Sequence, residues 1–443
     1  MPFDRLRAGR WQAHPLGSPS PAVRRRLPYI AILAIFAVVA VGVIAASRLP
    51  AGGPVGPPTA GDASNTPSGS GVGGPGGPAS VPIPGHEVYG YVPYWEMDGE
   101  IAAHLAQTEL TTLGLFSVTH RPNGAMATGQ TGYERITGTI GRRLIRDAHE
   151  RGTRVEVVYT SFGERKNRAF YDRPGAQERW IEALVDFVEE YKLDGINVDV
   201  ELLPADLIPS YGAWVGRLRE ALRERVPEAQ VSVATSASER GAAMALAASA
   251  AGADRIFVMG YDYHYPGSQP GASSPIERVD GSEKDLNWTL DAYAALGVPL
   301  DRTILGLPLY GITWPVVGPN LGDPATGRGD TWVPRRNLAT FEDRAFDPLF
   351  DPVESVEFYA VPADGTGVDP TAEASTDPAT TGGPWNAVYF DSPRSLRPKL
   401  ALADERGLAG AGFWAIGYER GLPGYTELIA TFRAGGLADL DEP

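Results

Sequence analysis

Cysteine is absent from all 443 residues. Disulfides, thiolate metal sites and a thiol nucleophile are therefore excluded, and an exported domain would have to be stable without cross-links. Histidine is scarce. His14, His86, His104, His120, His149 and His264 are the whole set; they show no metal-ligand spacing, so each is read as solvated or packing, with only His264 a candidate to line a cleft. Neither a glycine-rich phosphate loop nor a nucleophile elbow occurs. Positive charge is also short: 39 Lys and Arg stand against 54 Asp and Glu, a net charge of −15. Arg5, Arg7, Arg10, Arg24, Arg25 and Arg26 against Asp4 put +5 into the first 26 residues, which leaves −20 on the remainder. Such a body repels nucleic acid, and a neutral or weakly basic polymer is the more favourable partner.

What is present divides the chain. Residues 1–26 form a basic tail, and residues 27–46 are a charge-free apolar run of 20. At about 1.5 Å per residue, a helix of that length spans roughly 30 Å, the thickness of a bilayer core. Arg24 to Arg26 just before it would keep the N-terminus in the cytoplasm and send the rest of the chain outside. The reading for residues 27–47 is an uncleaved anchor, because signal peptides have shorter apolar regions; Ala45-Ala46-Ser47 leaves cleavage and secretion open. Residues 48–85 are mostly Gly, Pro, Ser and Ala and read as a flexible spacer.

From residue 86 to about 435, strand-like and helical patterns alternate. Candidate strands fall at 88–94, 113–118, 154–161, 195–202, 230–235, 255–261, 303–308 and 410–415. Helical periodicity follows at 140–151, 174–192, 211–226, 284–296 and 395–407. Eight strands with intervening helices predict an α/β fold, a (β/α)8 TIM barrel. A doubly wound sheet is the runner-up, without a phosphate loop to support it. The gap between the seventh and eighth strands is far longer than an ordinary connection. Residues 313–384 are therefore expected to hold a small α+β insertion forming one wall of a cleft, with a disordered loop at 364–384 as the alternative.

The chain is organised around Leu193-Asp194-Gly195-Ile196-Asn197-Val198-Asp199-Val200-Glu201. On a strand, Asn197, Asp199 and Glu201 share one face and the three aliphatic residues between them the other. Carboxylates two positions apart push each other's pKa values apart, a costly arrangement unless chemistry uses it. A solvated edge strand is the bland alternative; the amphipathic stretch before it, with Trp180, Ile181, Leu184, Val188 and Tyr191 on one stripe, favours a buried parallel strand. In a barrel the site lies at the strand C-termini. There Met259-Gly260-Tyr261-Asp262, Gly306-Leu307-Pro308-Leu309-Tyr310-Gly311 and Phe413-Trp414-Ala415 would meet the acidic pair.

These motifs together resemble the chitinase-type glycoside hydrolases of family 18. Residues 193–201 match the Asp-Gly-x-Asp-x-Asp-x-Glu signature with Asn197 in place of its usual Asp, and Ser161-Phe162-Gly163 is a partial match to the third-strand motif. The pattern, with Tyr-Trp near the first strand, looks closest to the bacterial spore-germination and cortex-lytic branch. The resemblance implies retaining, substrate-assisted hydrolysis of β-1,4 linkages in N-acetylglucosamine polymers, peptidoglycan or chitin-like, without metal or other cofactor. It implies that Glu201 is the general acid, that Asp199 orients the substrate's 2-acetamido group and that Tyr261 donates to its carbonyl. Asn197, Asp262, Trp414, Tyr310, Met259, Tyr91 and Phe116 would bind the sugar, Trp414 as its floor. The amide at 197 is expected to alter the pH profile rather than abolish chemistry. A catalytically silent carbohydrate-binding protein on the same barrel is the alternative, against which the presence of Glu201 counts. A monomer is expected, tethered to the cell membrane with its catalytic domain outside. Arg328-Gly329-Asp330 is read as a chance turn.

Overall fold

The computed structural model describes residues 85–343, 346–363 and 385–437. The expected basic tail, membrane anchor and spacer lie outside them apart from Gly85, as does the 364–384 segment. Among the described residues no helix is long and apolar enough to cross a membrane.

Seven parallel strands succeed one another along the chain: β1 (Glu87–Pro93), β2 (Thr112–Val118), β3 (Arg154–Phe162), β4 (Gly195–Glu201), β5 (Gln230–Ser236), β6 (Arg255–Met259) and β7 (Thr303–Pro308). Strands β8 (Gly311–Val316), β9 (Asp330–Trp332), β10 (Leu349–Asp351), β11 (Val356–Pro362) and β12 (Trp385–Phe390) then leave the barrel, and β13 (Gly410–Trp414) returns as its eighth strand. The closed order β1-β13-β7-β6-β5-β4-β3-β2 is that of an eight-stranded parallel barrel. Such strands are covered on both faces and read as near-continuous apolar runs; Gly195 to Val200 are all buried.

Helices cover the outside: α1 (Ile101–Leu105), α2 (Thr131–Thr137), α3 (Thr139–Glu150), α4 (Glu164–Tyr171), α5 (Pro174–Tyr191), α6 (Ile208–Arg225), α7 (Glu239–Ala250) and α8 (Leu286–Leu296). Pro174 starts α5, where its missing N–H costs nothing. Trp180, Ile181, Leu184 and Val188 of the expected stripe are buried, and Tyr191 is half-buried. Helix α7 had no counterpart in the sequence reading. Its run of alanines gives both faces the same character, so no periodicity marks it; Ser238 caps it by accepting from the Gly241 N–H at 3.1 Å.

The barrel's interior is aromatic beneath its mouth. Rings of Tyr89 and Tyr91 lie 4.8 Å apart, and Phe257 stands 4.9 Å from Tyr91. Gly306 on β7 and Gly412 on β13 admit the Phe257 ring: a Cβ at either position would come within 2.3 and 2.5 Å of it. The excursion between β7 and β13 forms a five-stranded sheet in the order β10-β11-β12-β8-β9, paired antiparallel, with the short α9 (Leu338–Glu342). The chain returns to the barrel through α10 (Pro393–Glu405) and ends in α11 (Tyr425–Arg433).

Candidate active site

Strand β4 carries the acidic side chains inward. Its register sets Asn197 beside Ser232, Asp199 beside Thr160 and Ala234, and Glu201 beside Phe162 at the rim. Asn197 is fully buried, Asp199 nearly so, and Glu201 keeps some solvent contact. Burial raises the proton affinity of both carboxyls. Glu201 is pushed up to about 7 by burial first and by the neighbouring Asp262 second. Asp199 is raised well above its ordinary range by burial and then by Glu201. For Glu201 burial dominates, and the next contribution comes from Asp262. Asp199 Oδ1 is buried with no hydrogen-bond partner, a state that asks for an explanation in a buried polar group.

Tyr261 and Asp262 follow β6 after Gly260. Asp262 has a left-handed backbone, φ 62°, a conformation that Asp tolerates better than most residues. Two bonds hold it there. Its N–H donates to Ser273 Oγ at 3.0 Å, and its carboxylate accepts from the Tyr310 hydroxyl just beyond β7. Burial nevertheless pushes Asp262 up to about 6. The Tyr261 and Tyr310 rings lie edge to face at 6.2 Å. Met259, at the end of β6, is partly buried against the core.

Across the barrel, Trp414 ends β13. Phe116 from β2 meets it edge-on at 4.8 Å, and Tyr91 lies 5.7 Å from it. All ten residues named from the sequence therefore sit on or just after the strand C-termini or in the interior immediately below. The Tyr91 hydroxyl donates to Asn197 Oδ1 at 3.1 Å in a buried position. Asn197 is likewise fully buried, beneath the carboxylates.

Trp95 entered the sequence reading only within the Tyr-Trp pair near the first strand, and three further groups escaped it. Trp95 lies 6.2 Å from Trp414 and donates its indole N–H to the Tyr418 hydroxyl at 3.0 Å. Glu354, from the inserted region, is buried and accepts from the Ala272 N–H at 2.9 Å, fixing the loop that carries Ser273. Glu156 and Ser232 lie inside the barrel, where Ser232 accepts from Asn197 Nδ2 at 2.7 Å and itself donates to Glu156. An acid within Val155-Glu156-Val157-Val158 was the available signal, because a charge in a buried parallel strand requires partners. His264 is buried, with Nδ1 2.8 Å from the Gln269 carbonyl; it packs beneath the loop and does not line the cleft. No group of three or more metal-ligating side chains occurs among the described residues.

A parallel barrel whose mouth gathers carboxylic acids of raised proton affinity, a tyrosine pair and a tryptophan has the equipment of a glycoside hydrolase. The chain belongs to the glycosyl hydrolases family 18, whose model matches residues 87–419. A cortical fragment-lytic enzyme of Bacillus subtilis is 24% identical over 330 residues, which cover 71% of this chain and 67% of that relative. The spore cortex-lytic enzyme SleL of Bacillus cereus shares the fold with a TM-score of 0.60 at 18% identity, over 78% of this chain and 74% of that one. A Group IV chitinase of Ostrinia furnacalis, solved with allosamidin, gives 0.65 at 19% identity, over 79% and 99%.

Proposed function

We propose that this barrel hydrolyses β-1,4 linkages of N-acetylglucosamine-containing glycans with retention of anomeric configuration. Glu201 protonates the leaving glycosidic oxygen while the substrate's own acetamido carbonyl attacks the anomeric carbon. Asp199 accepts from the acetamido N–H, Tyr261 donates to the acetamido oxygen, and Trp414 floors the sugar ring. Water activated by the Glu201 carboxylate then opens the oxazolinium-like intermediate from the same face. The observation that carries this reading is the pair on β4: Asp199, a buried acceptor without a partner, stands two residues from Glu201, an acid raised to about 7. Catalysis at neutral pH requires such a protonated acid.

Peptidoglycan is the favoured polymer. The cortical fragment-lytic relative and the apolar run at 27–46, which would hold the barrel on the outer side of the cell membrane, support that choice. The test incubates the protein and its Glu201→Gln variant with chitooligosaccharides and with purified peptidoglycan and identifies products by mass. Cleavage by wild type alone is expected. Cleavage of neither substrate by wild type would favour a carbohydrate-binding protein, and equal cleavage by the variant would remove Glu201 as the acid.

A further inference from the structure

Asn197 is held within a buried chain of hydrogen bonds, between Tyr91 and Ser232. The Tyr91 hydroxyl donates to Asn197 Oδ1 at 3.1 Å, Asn197 Nδ2 donates to Ser232 Oγ at 2.7 Å, and Ser232 donates to Glu156 Oε2. The Tyr89 hydroxyl donates to the same Glu156 oxygen at 2.9 Å. Gly114 keeps this route open, since a Cβ there would stand 2.9 Å from the Tyr89 hydroxyl oxygen. All five residues are 3% exposed or less.

The direction of the chain follows from its terminus. An ionised carboxylate only accepts, so Ser232 must spend its single proton on Glu156. Ser232 can then only accept from its other neighbour, which turns the Asn197 amide nitrogen toward it. The Asn197 oxygen is left to face Tyr91, whose proton it takes. Were Glu156 replaced by a neutral group able to donate, Ser232 could reverse, and the amide would have two orientations of similar energy.

Building on the glycosidase reading, we propose that Glu156 is a positioning residue: it supplies from one layer below the anionic acceptor that position 197 lacks, and so fixes the Asn197 amide and the Tyr91 hydroxyl beneath Asp199. Tyr91 is the link upward, since the charges of both Asp199 and Glu156 bear on its hydroxyl. Burial pushes the Glu156 carboxyl up to about 7, against which the Ser232 and Tyr89 donors and the Arg154 charge work to keep it ionised. Asp254 opposes ionisation, and the Arg255 guanidinium also senses the Glu156 charge from the start of β6. When Glu156 gains a proton, the order of the chain should change with it.

The test uses the full-length protein and reads the Asn197 side chain directly. In asparagine-selectively 15N-labelled protein, the Asn197 amide resonance, assigned by its loss in Asn197→Asp, should titrate between pH 6 and 8, and the amplitude of that titration should shrink in Glu156→Gln. A resonance that does not titrate in wild type, or that titrates equally in the variant, overturns the proposal. With chitooligosaccharide substrate, Glu156→Gln should lower kcat about 10- to 100-fold with KM within about twofold. The double variant Glu156→Gln/Asn197→Asp, which returns the carboxylate to position 197, should recover most of the loss. A kcat unchanged in Glu156→Gln, or no recovery in the double variant, contradicts the proposal. A wild type that cleaves neither chitooligosaccharides nor peptidoglycan would instead count against the glycosidase reading, and the resonance would still decide the role of Glu156.

Discussion

Glu201 and Asp262 are linked through charge, and the link gives a signed expectation. The acid form of Glu201 is the working form, so activity falls as pH rises through its pKa of about 7. Asp262 contributes to that raised value through repulsion, second to burial. Asp262→Asn removes the repulsion, lowers the Glu201 pKa and moves the basic limb of the kcat profile to lower pH by about 0.5 to 1 unit. A pH–rate series on both proteins checks this, with a shift to higher pH as the opposite outcome. Glu201→Gln should reduce kcat about 10²- to 10⁴-fold while leaving KM nearly unchanged, as loss of general acid catalysis requires. Much of this layer was legible in the sequence, because Asp199, Glu201, Tyr261 and Trp414 sit in local motifs whose period fixes the face they share. Glu156 and Ser232 were not. They lie 41 and 35 positions from Asn197, and only the pairing of β3 and β5 on either side of β4 brings the three together.

Among the elements, the inserted sheet and its return helix depend on a buried ion pair. Lys399 on α10 and Asp391 just after β12 are both fully buried and paired, and Asp391 also accepts from Ser395 Oγ at 2.7 Å. Removing one partner strands the other charge, so Lys399→Met should cost about 3–5 kcal/mol of stability in urea unfolding. Lys399→Met/Asp391→Leu should recover much of that loss, since an apolar pair leaves no buried charge. Helix α7 offers a smaller test of local chemistry: Ser238→Ala deletes its cap and should cost about 1 kcal/mol by the same measurement. The element boundaries read from the sequence lay within a few residues of those observed wherever apolar and polar faces alternated, as in α5. Where composition was uniform, as in alanine-rich α7, periodicity carried no information. The antiparallel pairing inside the excursion was also hidden, because β9 and β10 are three residues each.

For the whole molecule, function and stability decline together as pH rises. Glu201, Asp199, Asp262 and Glu156 all have raised proton affinities, with burial as the largest cause. A carboxyl whose folded pKa lies above its unfolded value favours the fold when protonated. For Glu201 that contribution is complete below its ordinary value of 4.5 and is lost as pH rises through about 7. The protein should therefore unfold at a lower temperature at pH 8 than at pH 5. Glu201→Gln should narrow the difference, gaining about 1–3 kcal/mol at pH 8, a figure reduced for the side chain's remaining solvent contact, and little near pH 4. Calorimetric scans across this range, with wild type and variant in parallel, would show the two curves converging toward acid pH. The net charge of −20 on the residues after the first 26 adds self-repulsion in the same direction.

The central claim is that the substrate's acetamido group acts as nucleophile with Asp199 as its partner and Glu201 as the acid. It is tested most directly by proton NMR of the first product released from a chitooligosaccharide, recorded before mutarotation. The expected result is the β-anomer at the new reducing end, formed with retention. Initial release of the α-anomer would contradict the mechanism.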